Sequence, residues 1–273
     1  TRRAFREAIE RGVPDLGLEL DVHLAGEGGL VVIHDATTSR TTGDPGEVAG
    51  MTVDELARLN AASRWRPGVV DDPSLPGPPA GYHPGPDGDC GVPTLAEVLD
   101  LRRAMECDAP VTIEVKAAAA GRPLVDLLQG RDELPAGEGA LVTLVAIRSR
   151  LMKDVRARMV DIDQPLRFGL APTAIPLAWL WLRALAGWPP TGTRYARVQL
   201  PHQALRFGGA RIVRNLKRSR VTAGAGAGGP VAVDVWTVDD PAVMRRMLGA
   251  EVDGIMTDRP TELRQVVTSW PAP

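Results

Sequence analysis

Two cysteines in 273 residues are too few for a disulfide framework or a thiolate metal cluster. Cys90 and Cys107 read as buried or idle thiols and fit a reducing compartment, so a cytoplasmic setting is the expectation. No span reaches the roughly 18 apolar residues of a membrane helix. The nearest approach, Ile175 to Trp188, is interrupted by Arg183. Excess charge of either sign is missing too. Lys and Arg total 32 against 34 Asp and Glu, for a formal net charge of -2. That excludes the global basic field of a nucleic-acid binder. No signal-peptide pattern is visible, and the chain opens at Thr1 without a methionine, so a preceding segment is expected. Histidine is scarce enough to be weighed residue by residue, at His23, His34, His83 and His202.

What is present is ordinary globular material. Hydrophobic residues make up 44% and charged residues 24%. The length suits one α/β barrel unit, read here as a single domain over residues 1–273.

The chain opens inside a helix, with Phe5, Ala8 and Ile9 on one face and Gly12 suited to its end. Leu16 to Val22 reads as a strand with Leu18, Leu20 and Val22 on one side and Glu19 and Asp21 on the other. A glycine-rich turn leads to a second strand, Leu30 to Ile33, ending in His34-Asp35. Residues 36–93 form an excursion, dense in proline and glycine between Asp71 and Asp89. Capping-box patterns at Thr52/Glu55 and Thr94/Glu97 open two helices around it.

From Val111 onward, strands and helices alternate. Counting from the strand that carries Glu19 gives seven core strands, each followed by room for a helix. That argues for a parallel sheet covered by helices. One upstream strand would complete a (β/α)₈ TIM barrel, with a small insertion after the second strand and the first strand missing from this chain. An open doubly wound sheet is the competing architecture, but no glycine-rich phosphate fingerprint follows any strand. The glycine-rich run Thr222 to Gly229 lacks a lysine and a following helix, and reads as a loop.

In such a barrel, function sits at the C-terminal strand ends. Glu19 and Asp21 are two residues apart, so their carboxylates face the same way, and Glu114 and Lys116 repeat the arrangement on the next core strand. Three such carboxylates can make an all-oxygen site for Ca²⁺ or Mg²⁺. Lys116 would add a point charge for an anion, most naturally a phosphate. Ordinary strand-end salt bridges are the alternative.

The motifs then carry a resemblance. Glu19-Leu20-Asp21-Val22, Val32-Ile33-His34-Asp35, Arg40-Thr41-Thr42 and Pro93-Thr94-Leu95 resemble, in order and spacing, the glycerophosphodiester phosphodiesterase family. So do Glu114-Val115-Lys116, Val235-Trp236-Thr237-Val238 and the stretch from Asp253 to Asp258. The resemblance runs from Thr1 to about Val266. It implies a (β/α)₈ barrel, an insertion matching residues 36–93, and a divalent metal held by Glu19, Asp21 and Glu114. It also implies His34 as one of two catalytic histidines, Lys116 at the phosphate and Trp236 lining the substrate pocket. Two departures stand out. The family's His-Arg-Gly and Glu-Asn-Thr motifs would precede or overlap Thr1, so the first histidine is not in this chain. Ala146-Ile147 stands where the family has Ser-Phe.

The expected reaction is hydrolysis of glycerophosphodiesters to glycerol 3-phosphate and an alcohol, with one histidine taking a proton and another donating one. Two alternatives are carried. One is a lysophospholipase-D-like relative acting on lysolipid phosphodiesters, with transient membrane-surface contact through the Trp-rich segment 175–188. The other is a catalytically inactive binding barrel. No nucleic-acid partner is expected. His23 reads as a rim residue, His83 as a solvated loop residue and His202 as a possible border of the pocket. The basic run Arg206 to Arg220 reads as a solvated helix face.

Overall fold

The computed structural model describes residues 1–11, 17–64, 89–131, 142–146, 155, 167–170, 174–187, 196–220 and 229–271. Among them, α1 (Arg2–Arg11) leads into β1 (Leu18–Leu24) and β2 (Leu30–Val32). Three helices follow, α2 (Ser39–Thr42), α3 (Val53–Arg58) and α4 (Leu95–Ala104). Then come β3 (Val111–Val115), α5 (Gly121–Gly130), β4 (Val142–Ala146), β5 (Arg167–Leu170), α6 (Ala174–Leu185) and β6 (Arg197–Pro201). The chain continues through α7 (Gly209–Lys217), β7 (Ala232–Trp236), α8 (Pro241–Gly249), β8 (Gly254–Ile255) and α9 (Pro260–Thr268).

The strands form one sheet in the order β2-β1-β3-β4-β5-β6-β7-β8. All pairings are parallel except β1 with β2, which is antiparallel. Seven parallel strands in sequence order match the count from hydrophobic patterning. With the expected first strand outside this chain, the described strands do not form a closed barrel. β1 is flanked by β3 and β2, and β8 pairs with β7 alone, so the sheet stays open between β1 and β8. Closure of a (β/α)₈ barrel takes eight parallel strands, and seven leave two flanks unjoined.

β2 turns back because residues 25–29 make a tight reversal. Ala25 N–H donates to the Gly29 carbonyl at 2.8 Å, and Gly28 takes φ +90°, a left-handed backbone that glycine adopts without a steric penalty. The reversal returns the chain along β1, and Ile33 N–H reaches the Asp21 carbonyl at 3.1 Å. His34 is thereby delivered beside the strand that carries Glu19 and Asp21.

The core lies between the sheet and its helices. Leu18, Leu20 and Val22 of β1 and Val111, Ile113 and Val115 of β3 are buried against Leu95, Leu99, Leu124 and Leu128 of α4 and α5. Val198, Leu200, Val233 and Val235 pack likewise on Ile212, Leu216, Met244 and Met247 of α7 and α8. Burying each of these large side chains contributes roughly 1.5–3 kcal/mol. With one strand face fixed by the helices, period-2 alternation turns Glu19, Asp21 and Glu114 to the opposite face. The α3 and α4 capping boxes form as the sequence predicts, with Glu55 N–H on Thr52 Oγ1 at 3.2 Å and Glu97 N–H on Thr94 Oγ1 at 3.1 Å. Asp240 caps α8 ahead of Pro241, also as expected. A third, smaller core holds the described part of the 36–93 excursion, where Val31, Ile33, Val48, Leu56 and Val92 meet. The described helices include none long and apolar enough to cross a membrane.

Candidate active site

Asp21 and Glu114 are cross-strand partners in the β1–β3 register. Directly opposed side chains in a sheet stand about 5 Å apart, so the pairing alone makes the two carboxylates neighbours. Glu19 joins them from the same face of β1, and ligand oxygens of Glu19, Asp21 and Glu114 lie within 4.8 Å of one another. Lys116, one residue past β3, is tied in by its backbone N–H on the Val22 carbonyl at 3.1 Å. Its ammonium stands 3.0 Å from Asp21 Oδ1 and 3.0 Å from Glu114 Oε1. The four residues that spacing singled out on β1 and β3 therefore form one group. The salt-bridge alternative is realised within it, since Lys116 pairs with two of the three acids.

Three carboxylates with one ammonium leave an uncompensated negative charge. Glu19 is reached by solvent yet ringed by protein. That enclosure, then Asp21 and Glu114, raise its pKa to about 8, against the lowering influence of Lys116. Burial also raises Glu114, despite the adjacent ammonium. Burial alone would lower Lys116, but Asp21 and Glu114 outweigh it and hold the ammonium charged above its ordinary range. The donor set fits a hard divalent cation such as Ca²⁺ or Mg²⁺, which takes carboxylate oxygens and relieves the repulsion that raises Glu19.

His34 is exposed at 61% of its side chain, and its Nδ1 lies 2.7 Å from Asp35 Oδ1. Arg40 Nε donates to the other oxygen, Asp35 Oδ2, at 2.6 Å. Burial would raise Asp35, but Arg40 and His34 outweigh it and lower its pKa. A carboxylate held ionised accepts hydrogen bonds only, so Nδ1 is the donor of this pair, and in the neutral ring Nε2 is then the acceptor. α2, which bears Arg40, is fixed by Thr42 Oγ1 donating to the Thr38 carbonyl at 2.9 Å and by Ser63 Oγ donating to the Thr42 carbonyl at 2.5 Å.

Trp236 ends β7, half-buried, five strands along the sheet from β1. His202 begins the short 3₁₀ helix that follows β6. His23 corrects an expectation. It lies within β1, not past it, and is buried at 8% exposure with Nε2 3.2 Å from the His34 carbonyl oxygen. β1 runs two residues further than its apolar alternation, because β2 continues the pairing to Leu24. His83, Ile147, most of the Thr222–Gly229 run and Trp188 lie outside the described residues, as do the side chains of Trp179 and Trp181.

Sequence reasoning quoted Asp35, Arg40 and Asp258 within motifs but gave them no role. Asp35 and Arg40 prove to hold His34, and Asp258, just past β8, adds to the charge that raises Glu19. The His-Asp dipeptide was the available signal. Arg40 stood in the Arg40-Thr41-Thr42 motif, but its partner depends on how the four-residue helix α2 packs.

The model of the glycerophosphoryl diester phosphodiesterase family matches residues 1–262. A glycerophosphodiester phosphodiesterase of Caldanaerobacter subterraneus subsp. tengcongensis is 28% identical over 98% of this chain and 91% of its own. A Mycobacterium tuberculosis protein named "Probable glycerophosphodiester phosphodiesterase 2" is 30% identical over 97% of this chain and 83% of its own. Among solved structures, a Thermotoga maritima glycerophosphodiester phosphodiesterase matches with a TM-score of 0.63 and 21% identity, covering 98% of this chain and 90% of that one. An Oleispira antarctica phosphodiesterase in complex with the product sn-glycerol-3-phosphate matches at 0.64 with 18% identity, covering 97% of this chain and 89% of that one.

Proposed function

The chain belongs to the glycerophosphoryl diester phosphodiesterase family, a family of phosphoric diester hydrolases, and from that premise we propose that it hydrolyses glycerophosphodiesters to glycerol 3-phosphate and an alcohol at the Glu19–Asp21–Glu114–Lys116 group. The observation that carries this reading is the convergence of three carboxylates and one ammonium on one face of β1 and β3.

Glu19, Asp21 and Glu114 would hold a divalent cation. When bound, such an ion neutralises charge on the phosphodiester and so stabilises the transition state. Lys116 attracts the anionic phosphate and pairs with Asp21 and Glu114. His34, with Nδ1 occupied by Asp35, presents Nε2 to take a proton from the attacking hydroxyl or return one to the leaving alkoxide. Such a positioned proton transfer contributes about 10²–10⁴-fold. Trp236 lines the alcohol or glycerol side of the pocket.

A second reading, hydrolysis of lysolipid phosphodiesters, is favoured by Leu182, which stands 60% exposed on the apolar helix α6. Product analysis separates the two. The chain is incubated with glycerophosphocholine and lysophosphatidylcholine, in chelator and after Mg²⁺ or Ca²⁺ is restored. Metal-dependent glycerol 3-phosphate from the first supports the main reading. Metal-dependent choline or lysophosphatidate from the second alone replaces it. Turnover undiminished in chelator removes the metal role, and no turnover of either by a chain that carries the upstream histidine restores the binding-barrel alternative.

A further inference from the structure

We propose that the outer surface made by α6 and α7 docks on an anionic lipid bilayer. The proposal goes beyond the catalytic reading and does not depend on it.

The first observation is an apolar helix at the surface. α6 has the sequence AIPLAWLWLRAL, with Arg183 its single charged residue. A helix apolar on all sides is ordinarily buried. Here Leu180 and Ala184 are buried against the core, but Leu182 is 60% exposed and Ala178 is exposed. At about 1.5 Å per residue the helix is too short to cross a bilayer about 30 Å thick. It has the length and composition to lie in one face of it.

The second observation is the neighbouring helix. α7 buries Ile212, Val213 and Leu216 and turns Arg211 and Arg214 outward, with Arg218 just past its end. Spacings of three and four put these arginines on a single stripe. Residues 206–220 hold six basic residues and no acidic one. Lys217 is paired with Asp253 at 2.9 Å. No ion pair of Arg211, Arg214 or Arg218 occurs among the described residues. On a chain of net charge -2 this is a local concentration of positive charge.

The two features adjoin. Asn215 Nδ2 of α7 donates to the Ala184 carbonyl of α6 at 2.7 Å. A Cβ built on Gly208 would lie 3.1 Å from Leu185 Cδ1, one helical turn from Leu182. Phe207, beside Gly208, is 70% exposed, with the Arg206 guanidinium 5.6 Å from its ring centre. An anionic bilayer satisfies both kinds of group, since headgroups take the arginines and the acyl boundary takes Leu182 and Phe207. A nucleic acid would answer the arginines and leave Leu182 in water.

Co-sedimentation of the full chain tests this, with vesicles of phosphatidylcholine alone and of phosphatidylcholine with one-quarter phosphatidylglycerol, at 50 and 500 mM NaCl. Binding is expected to the anionic vesicles at low salt, weak at high salt and weak to the neutral ones. The combined Arg211→Ala, Arg214→Ala and Arg218→Ala variant should bind about 100-fold more weakly, at roughly fivefold per basic residue. Leu182→Ser with Phe207→Ser should lose at least about tenfold while leaving the arginines in place. Unchanged melting temperature and unchanged hydrolysis of soluble glycerophosphocholine certify that both variants are folded. Equal binding to neutral vesicles, or no loss in the arginine variant, overturns the proposal. So does binding to a 20-nucleotide RNA that matches the anionic vesicles and ignores the Leu182/Phe207 change, which would assign the surface to nucleic acid. Because vesicle binding is read without turnover, an inactive preparation that still binds leaves this inference standing and faults only the catalytic one.

Discussion

His34 Nδ1 lies 2.7 Å from Asp35 Oδ1, and Arg40 Nε holds the second oxygen of the same carboxylate at 2.6 Å. An exposed histidine is thus oriented by a neighbour that is itself anchored from α2. The arrangement fixes which imidazole nitrogen carries the proton, which a solvent-exposed ring would otherwise leave free.

Two substitutions separate orientation from proton transfer. His34→Ala should lower kcat by about 10²–10⁴-fold with little change in KM. Asp35→Asn keeps the shape but lets Nδ1 act as acceptor, so it should lower kcat by about tenfold or more and shift the acidic limb of the pH–rate profile. Steady-state kinetics on glycerophosphocholine reads both, and wild-type turnover in His34→Ala would remove that residue from the mechanism.

Lys116 opposes the cation that its neighbours would hold. Its ammonium is 3.0 Å from Asp21 and from Glu114, so Lys116→Met should tighten Mg²⁺ or Ca²⁺ binding in calorimetry while raising the KM for substrate. The KM effect should be larger at low ionic strength. Glu114→Gln should do the reverse to the metal, losing activity that excess Mg²⁺ partly restores. Unchanged metal affinity in both variants would separate this group from any cation site.

Glu19 sets a pH dependence of stability. Its folded pKa, about 8, is raised above its ordinary value of 4.5. Between those values the native state holds a proton that the unfolded chain releases, so native stability falls as pH rises through this window. Glu19→Gln should flatten the fall, and a divalent cation should raise the melting temperature more at pH 8 than at pH 5.5. Thermal melts in chelator and in Mg²⁺ across pH 5–9 check both, and parallel curves for wild type and variant would refute the assignment.

Gly254 is held small by an ion pair. A Cβ there would stand 2.4 Å from Asp234 Oδ1, and Asp234 is buried at 2% exposure, with Oδ2 2.7 Å from Arg197 Nε. Gly254→Ala should therefore destabilise by about 1–3 kcal/mol, as overpacking does. Urea denaturation should show a lower midpoint at unchanged m-value. Asp234→Ala leaves Arg197 without its partner and should lower the midpoint further.

Much of this molecule is determined locally. Alternation on β1 and β3 assigns one face to the core, and parity alone then groups Glu19 with Asp21 and Glu114 with Lys116. Thr52, Thr94 and Asp240 cap their helices through contacts only two or three residues long, which is why those starts were legible. Local patterning also counted the seven parallel strands. The tertiary structure decided the rest. That Asp21 faces Glu114 depends on the β1–β3 register, a pairing across ninety residues that no local period encodes. Whether β1 and β8 join is a property of the whole sheet, and seven parallel strands leave it open. His23 looked like a rim residue because apolar alternation ends before it, while the β2 hairpin extends β1 and buries it. Arg40 reaches Asp35 from α2, a helix of four residues too short to show a period, and the arginine stripe of α7 gains an apolar neighbour only where α6 packs against it. Residue types and their parity can be read along the chain, whereas distances between strands and helices exist only once the chain has packed.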